Sequence, residues 1–382
     1  MAADGISRLC HWGPSIALSI IFALLSSTLY SILIYWRSDD MEGPLNLTIL
    51  LIDFLLIMYN FLTACLRGPG RVPPRWTPDN EGDTRYLQYC DVCEGYKAPR
   101  AHHCSKCQRC CLKMDHHCPW INNCVGHRNH APFVRFLFHV TIGCSHAFYL
   151  QALSLYRTFF VRTHWMYRRL ILYGPLAVTA NLLCCGLTIG VTLAVGILLV
   201  TQLLNIRKNH TEIELWIMRK VKSVKNKNGN SNSFHFPYDL GWKKNCKSVL
   251  WTQEGDGIMW ETRADCHQYT LTMKQIELKK DKREHTYLYE VVRNYHGSRD
   301  YFGICFGCRV ACSCPNPDEP RLCVKQGDRV MVTRIYKHWL YGNRVLSHLV
   351  ENGIGPTVRP RQYSKERGWF PRTCGAPINK RK

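Results

Sequence analysis

The chain has 382 residues, 21 cysteines and a formal net charge of +22. That length holds more than one domain, and so large a positive balance points to nucleic acid or to an anionic membrane face. The charges are dispersed and no recognition helix or RNA-binding signature accompanies them, which sets nucleic acid aside.

Taken in chain order, a short segment 1–14 precedes two apolar runs, Ser15–Trp36 and Leu45–Leu66; a third runs from about Phe136 to Phe160 and a fourth from Leu170 to Ile206. About twenty residues at a rise of 1.5 Å cross a hydrocarbon core of about 30 Å, so four transmembrane helices are expected. The fourth run is too short for two spans and a turn, and reads as one long helix that overshoots the bilayer. The first exceeds a signal-peptide core and no small-residue cleavage motif follows it, so it reads as an uncleaved span. Four spans place both termini and the segment between spans two and three on one side. Arg67, Arg71, Arg75, Lys97, Arg100, Lys106, Arg109 and Lys113 lie in that segment, and Arg207, Lys208, Arg219 and Lys220 follow the last span. Arg157, Arg162, Arg168 and Arg169 at the short 161–169 loop oppose them but are outnumbered, which assigns the segment and both termini to the cytosol.

Eight cysteines fall between Tyr89 and Phe133, in CDVC (Cys90–Cys93), HHCSKCQRCC (His102–Cys111), DHHCPW (Asp115–Trp120) and NNC (Asn122–Cys124). A reducing address and CxxC spacing favour metal over disulfides. A two-residue spacer lets both thiolates reach one zinc ion at about 2.3 Å, as Cys90/Cys93 and Cys104/Cys107 can. Each pair needs a further Cys and a His from among His102, His103, Cys110, Cys111, His116, His117, Cys118, Cys124 and His127, and spacing alone leaves the pairing open. Two tetrahedral Cys₃His sites use six cysteines and two histidines, so two thiols are left over. Cys118 stands directly behind Asp115-His116-His117, where one histidine can ligate metal while the other serves the thiol as base. A free thiol is only about a few per cent thiolate at neutral pH, a deficit that an imidazole oriented by a carboxylate corrects.

The run C-x₂-C-x₉-H-C-x₂-C-x₂-C-x₄-D-H-H-C-x₅-C, followed by Asn123–Gly126, Asn129 and Phe133, resembles the DHHC family of protein S-acyltransferases. Four spans with the motif between the second and third fit that family. The resemblance implies one structural zinc held by Cys90, Cys93, His103 and Cys110, and a second held by Cys104, Cys107, His117 and Cys124. It implies Cys118 as nucleophile, His116 as general base and Asp115 as the residue that orients His116, with Cys111 a bystander. The implied reaction is ping-pong: Cys118 takes palmitoyl or another long-chain acyl group from acyl-CoA as a thioester. The group then passes to a cysteine of a membrane-associated substrate protein on the cytosolic face. Each buried CH₂ is worth about 0.8 kcal/mol, so the acyl chain belongs in lipid; Arg100, Lys106, Lys113 and Arg128 are candidate partners for the CoA phosphates.

Two places depart from the family. Gly68-Pro69-Gly70 stands where members carry Asp-Pro-Gly, and Thr211-Glu212-Ile213-Glu214 where they carry Thr-Thr-x-Glu. The hydrogen bond that the second threonine would send toward the cysteine-rich segment thereby loses its donor. Pro237–Gly241 with Asn245 matches the family's tail motif and implies a structural role for Asn245. The sequon Asn209-His210-Thr211 is idle in the cytosol.

Lys222–Ser233 reads as a linker. Beyond about 310, the alternating run Arg329–Tyr336 reads as a strand, followed by Trp339–Gly342 and Gly368–Pro371, an order that resembles an SH3-like β-barrel. Its early Tyr-rich strand is replaced by Val310–Cys314 and no Tyr follows Phe370-Pro371, so the aromatic groove for Pro-rich ligands is incomplete. Protein docking or an intramolecular role ranks above PxxP binding. Cys305, Cys308, Cys312, Cys314 and Cys323 read as buried thiols ahead of a third metal site or of acceptors acylated by another acyltransferase. Asn379–Lys382 resembles a retrieval signal and, with the SH3-like tail, implies an endoplasmic-reticulum membrane.

The chain thus reads as a multi-pass α-helical membrane protein: cytosolic N-terminus 1–14, spans one and two in 15–66, a cytosolic two-zinc cysteine-rich domain 67–132, spans three and four in 133–206. A cytosolic tail 207–309, an SH3-like barrel 310–375 and a basic end 376–382 complete it. A non-catalytic zinc and SH3 membrane scaffold is the rival from another functional class.

Overall fold

A computed structural model describes residues 7–35, 41–160, 164–227, 234–251, 255–284, 286–297, 304–315, 319–345 and 363–378. The chain divides into two compact units, Met1–Gln275 and Ile276–Lys382. Arg162, the last six linker residues 228–233 and the Asn379–Lys382 end lie outside the described residues.

In the first unit the apolar runs form α1 (Trp12–Tyr35), α2 (Glu42–Leu66), α3 (His130–Phe160) and α4 (His164–Arg207). All four are long and apolar enough to cross a membrane, which makes this a multi-pass membrane protein. α4 runs on as one helix with Pro175 inside it. Leu33, Leu55, Tyr59, Leu193 and Ile197 are exposed on the outside of the bundle, an apolar surface that hydrocarbon solvates and water does not. Lipid gives helices no hydrophobic reason to associate, so polar pairs join them. Gln151 Nε2 donates to Thr28 Oγ1 at 3.0 Å and Asn181 Nδ2 to Ser154 Oγ at 2.9 Å, tying α3 to α1 and to α4. His139 Nδ1 and Asp53 Oδ1 meet at 2.9 Å between α3 and α2. Gly143 makes room for that pair, because a Cβ there would sit 2.1 Å from Asp53 Oδ2.

Between α2 and α3 the cysteine-rich segment folds into three two-stranded hairpins: β1 (Tyr89–Cys90) with β2 (Gly95–Tyr96), β3 (His102–Cys104) with β4 (Arg109–Cys111), and β5 (His116–Cys118) with β6 (Asn123–Val125). Strands this short do not stand alone in water. After α4 come α5 (Glu212–Lys227), α6 (Trp242–Leu250) and α7 (Thr270–Glu284). α5 overruns the expected linker start, so 222–227 is helix.

Arg100 joins these parts. It is 3 % exposed, and donates to both oxygens of the fully buried Glu214 carboxylate, at 2.6 and 2.7 Å. It also donates to the Asn209 carbonyl at 2.6 Å, while the Tyr238 and Trp260 rings lie 4.4 and 4.8 Å from its charge. Lys113 Nζ donates to Asn209 Oδ1 at 2.7 Å, so the sequon asparagine is consumed inside the network. Thr211 and Glu214 also cap α5 reciprocally: the Glu214 amide donates to Thr211 Oγ1 at 3.2 Å and the Thr211 amide to Glu214 Oε2 at 2.9 Å. That exchange is the capping box expected of Thr-x-x-Glu at a helix start.

The second unit is an antiparallel sheet in the order β10-β9-β8-β7-β11. Its strands are β7 (Tyr287–Val291), β8 (Arg329–Tyr336), β9 (Trp339–Val345), β10 (Tyr363–Pro371) and β11 (Gly375–Pro377). Trp339, Tyr295, Leu340 and Phe370 are wholly buried at its core, and Trp339 Nε1 donates to the Val310 carbonyl at 2.9 Å. The sheet therefore opens ahead of the expected 310. β7 carries Tyr287 and Tyr289 and pairs with β8, and Val310 falls on a helical turn, Cys308–Ala311. Cys305, Cys308, Cys312 and Cys323 are exposed rather than buried, and Cys314 is half-buried.

Glu214→Gln leaves Arg100 buried without a countercharge and should cost about 3–5 kcal/mol. The drop should appear as a lower thermal midpoint of the detergent-solubilised chain, with Lys208→Ala on the exposed side of the same stretch unchanged. Trp339→Ala should destabilise the C-terminal sheet by about 3–5 kcal/mol, read as faster proteolysis of that unit in the full chain.

Candidate active site and metal centres

Each of the first two hairpins turns through a CxxC pair, with Glu94 (φ 52°) and Gln108 (φ 53°) in the left-handed region just after the second cysteine. The following hairpin supplies a cross-strand pair: His103 opposite Cys110 on β3–β4, and His117 opposite Cys124 on β5–β6. This assembles two groups, Cys90-Cys93-His103-Cys110 and Cys104-Cys107-His117-Cys124, with ligand atoms within 4.8 Å of one another. A tetrahedral zinc with sulfur at about 2.3 Å and nitrogen at about 2.0 Å has ligand edges of roughly 3.5–3.8 Å. His103 Nδ1 lies 3.4, 3.5 and 3.9 Å from the sulfurs of Cys90, Cys93 and Cys110. His117 Nδ1 lies 3.7, 3.5 and 3.6 Å from those of Cys104, Cys107 and Cys124, and Cys107 and Cys124 are 3.6 Å apart. Both donor sets fit the ion. The other candidates fall outside them: His127 Nε2 faces the Gly255 carbonyl at 3.3 Å, and Cys111 is buried beside Cys104 and Cys124. Among the described residues no third group of this kind forms around the tail cysteines.

Strand alternation divides the labour in the Asp-His-His-Cys run. Successive side chains on β5 point to opposite faces, so His117 turns to the metal group while His116 and Cys118 share the other face. His116 Nδ1 is 2.7 Å from Asp115 Oδ2, and its ring stands on the same strand face as the Cys118 side chain. Asp115 is 1 % exposed and accepts two further hydrogen bonds: Gln202 Nε2 donates to Oδ2 at 3.0 Å and the Glu212 amide to Oδ1 at 2.7 Å. Burial works against the Asp115 carboxylate, but the hydrogen bond from His116, the nearby imidazoles and the Glu212 amide outweigh it and bring its pKa down to about 2. Burial likewise opposes protonation of His116, yet the hydrogen bond to Asp115 and the neighbouring Cys118 side chain push it up to about 9. The missing second threonine is thus replaced by a main-chain donor, and the Glu212 side chain instead accepts from Asn205 Nδ2 at 2.5 Å.

Gln202 was invisible in the sequence, where it is one polar residue in a long apolar run. Its Oε1 meets His130 Nε2 at 2.8 Å, which orients the amide with its donor toward Asp115. Asn245 behaves as the tail motif implied: Nδ2 donates to the Arg207 carbonyl at 2.9 Å and to Asp239 Oδ1 at 2.7 Å, holding α6 to the end of α4. Cys118 is buried in an apolar cluster with Phe61, Ile121, Phe133, Leu137 and Leu199, where the cysteine-rich segment meets the bundle.

One cavity borders the turn that follows Cys118, and a second lies within the helical bundle. The first, of about 730 Å³, is lined by Arg8, Arg71, Lys106 and Arg109 together with His117, Pro119 and Asn122, and has no carboxylate in its wall. The other, about 70 Å³ and apolar, lies among the four helices against Ile20, Leu24, Ile57, Val140, Ala147 and Val191. Of the four cations expected to meet phosphate, Arg100 and Lys113 are buried in the network above, Arg128 packs its stem near Gly70, and only Lys106 lines the basic cavity.

A family model described as DHHC palmitoyltransferase matches residues 83–219. The chain is 40 % identical over 388 residues to palmitoyltransferase ZDHHC6 of Mus musculus, covering 97 % of this chain and 91 % of that protein. It is 38 % identical over 392 residues to palmitoyltransferase ZDHHC6 of Homo sapiens, with the same coverage. Over 215 residues it is 32 % identical to probable protein S-acyltransferase 15 of Arabidopsis thaliana, covering 54 % of this chain and 80 % of that one. Matched almost end to end, with two Cys₃His groups beside an Asp-His-Cys face, the chain belongs to the DHHC palmitoyltransferase family.

Proposed function

We propose that this palmitoyltransferase carries its acyl group on Cys118, with His116 as the acid–base group and Asp115 as the residue that orients it. The observation that carries the reading is the 2.7 Å pairing of His116 Nδ1 with Asp115, on the strand face that also bears Cys118. An ionised carboxylate only accepts, so Asp115 takes the Nδ1–H and leaves Nε2 for the thiol. His116 holds the Sγ proton as an imidazolium beside the Cys118 thiolate, the thiolate attacks the thioester carbonyl of acyl-CoA, the bond to the CoA sulfur breaks, and the imidazolium gives its proton to the departing thiolate. In the second half His116 deprotonates a cysteine of the substrate protein. That sulfur takes the acyl group, and the proton returns to Cys118.

Two structural Zn²⁺ ions, on Cys90, Cys93, His103 and Cys110 and on Cys104, Cys107, His117 and Cys124, supply folding energy to hairpins too short to carry a core. Acyl-CoA is the co-substrate, and the basic cavity beside the Cys118 hairpin suits its phosphates. The positive-inside balance supports cytosolic termini, and the retrieval-like end supports the endoplasmic reticulum. The five-stranded sheet supports an SH3-like unit that docks protein, and the exposed Cys305, Cys308, Cys312 and Cys323 suit acylation by another acyltransferase.

Purified protein given labelled palmitoyl-CoA should acquire a hydroxylamine-sensitive label that Cys118→Ala abolishes; equal labelling of the variant rejects Cys118. His116→Ala should slow both half-reactions by about 10²–10⁴ while metal analysis still finds two zinc ions per chain. Loss of zinc in that variant would mean that the two histidines have exchanged roles.

A further inference from the structure

The third hairpin has three rungs, and the proposed zinc site pins only one of them, His117 opposite Cys124. The next rung, Cys118 opposite Asn123, and the turn Pro119–Asn122 beyond it are held from elsewhere. Much of that hold comes from the start of the chain. Arg8 Nη1 donates to the Asn122 carbonyl at 2.9 Å and to Asn123 Oδ1 at 2.8 Å. Asn122, in the left-handed region at φ 45°, returns a bond from Nδ2 to the Arg8 carbonyl at 3.2 Å. Asn123 Nδ2 in turn donates to the Cys65 carbonyl at 3.0 Å at the end of α2. Leu9 packs into the apolar cluster that contains Cys118, and the Trp12 ring meets Trp120 edge-on at 6.0 Å. At Gly13 the approach is closer still: a Cβ there would lie 1.9 Å from the Pro119 carbonyl oxygen.

We infer that Ser7–Gly13 is a wall of the active site, and that Arg8 is a positioning residue which holds the Pro119–Asn123 turn and so presents Cys118 to His116. The inference rests on Cys118 being the nucleophile. A cation donating to a carbonyl and an amide oxygen makes stronger, more directional bonds than a neutral donor, and it fixes the residue directly across the ladder from the thiol. Gly13 serves the same end by backbone contact alone.

Arg8 also borders the basic cavity, so its charge by itself would serve an anion. The full-length chain in detergent separates the two uses through single-turnover acylation by palmitoyl-CoA over a range of concentrations. Gly13→Ala removes no charge and should lower the maximal rate roughly tenfold or more, with the half-saturating concentration within about twofold of wild type. Arg8→Ala should lower the maximal rate as much, and Arg8→Lys, whose ammonium can reach both oxygens, should recover part of it. Arg71→Ala, which removes a cavity cation without touching the turn, should alter half-saturation only. Zinc should stay at two per chain throughout. Wild-type maximal rates in Gly13→Ala and Arg8→Ala overturn the inference, as does an Arg8 effect confined to half-saturation or zinc loss in either variant. Cys118→Ala run alongside tells the two failures apart: a label that survives there removes the nucleophile assignment itself.

Discussion

The buried pair of Arg100 and Glu214 is the contact on which the rest of the site depends. Taking both charges out of water costs several kcal/mol each, and only near-complete hydrogen bonding recovers it. Here Glu214 accepts from the guanidinium at both oxygens and from the Thr211 amide, while Arg100 also takes the Asn209 carbonyl and two aromatic faces. Because that geometry is so demanding, it admits one docking of α5 against the cysteine-rich segment. The Glu212 amide, two residues earlier, is then delivered to Asp115 at 2.7 Å. The Asp115 carboxylate is thus placed by an ion pair in which it takes no part.

The two metal groups do complementary work. Each joins the turn of one hairpin to a rung of the next, so three small elements that could not fold separately become one rigid piece. The same ladder puts adjacent residues to different uses, since alternation sends His117 to one face and His116 with Cys118 to the other. Cys118, the proposed nucleophile, consequently sits one residue from His117 of a metal-competent group, on the opposite face of the strand.

The bundle supplies the remaining constraint. Gln202 of α4 reaches Asp115, Asn123 reaches the end of α2, and Arg8 reaches the turn beyond Cys118, so pieces far apart in the chain converge on the Cys118 hairpin and its approach. Burial at the junction of bundle and cysteine-rich segment explains why so many fixed hydrogen bonds gather there. A polar group withdrawn from water must find a protein partner.

Much of this was legible in the chain itself. Hydropathy placed four spans, because crossing hydrocarbon imposes a length and a composition that nothing else satisfies. The cysteine and histidine spacing admitted two Cys₃His groups with thiols to spare, and the family resemblance picked out the two groups that the fold brings together. Thr211-x-x-Glu214 carried a legible signal of another kind: it read as a damaged motif, yet its two outer residues form a helix cap and leave the main chain to do the lost threonine's work. The start of the C-terminal sheet was misplaced because Tyr287–Val291 is an isolated five-residue run whose partner, β8, lies some forty residues on. Gln202 and Arg8 left no local trace, and Asn123 stood in the motif without a partner that the sequence could name. What the sequence by itself determined was local in spacing or period: the spans, the ligand count and the alternating Arg329–Tyr336 strand. Only the tertiary structure decided which distant donors meet Asp115 and the Cys118 hairpin, because those choices come from satisfying buried polar groups in three dimensions.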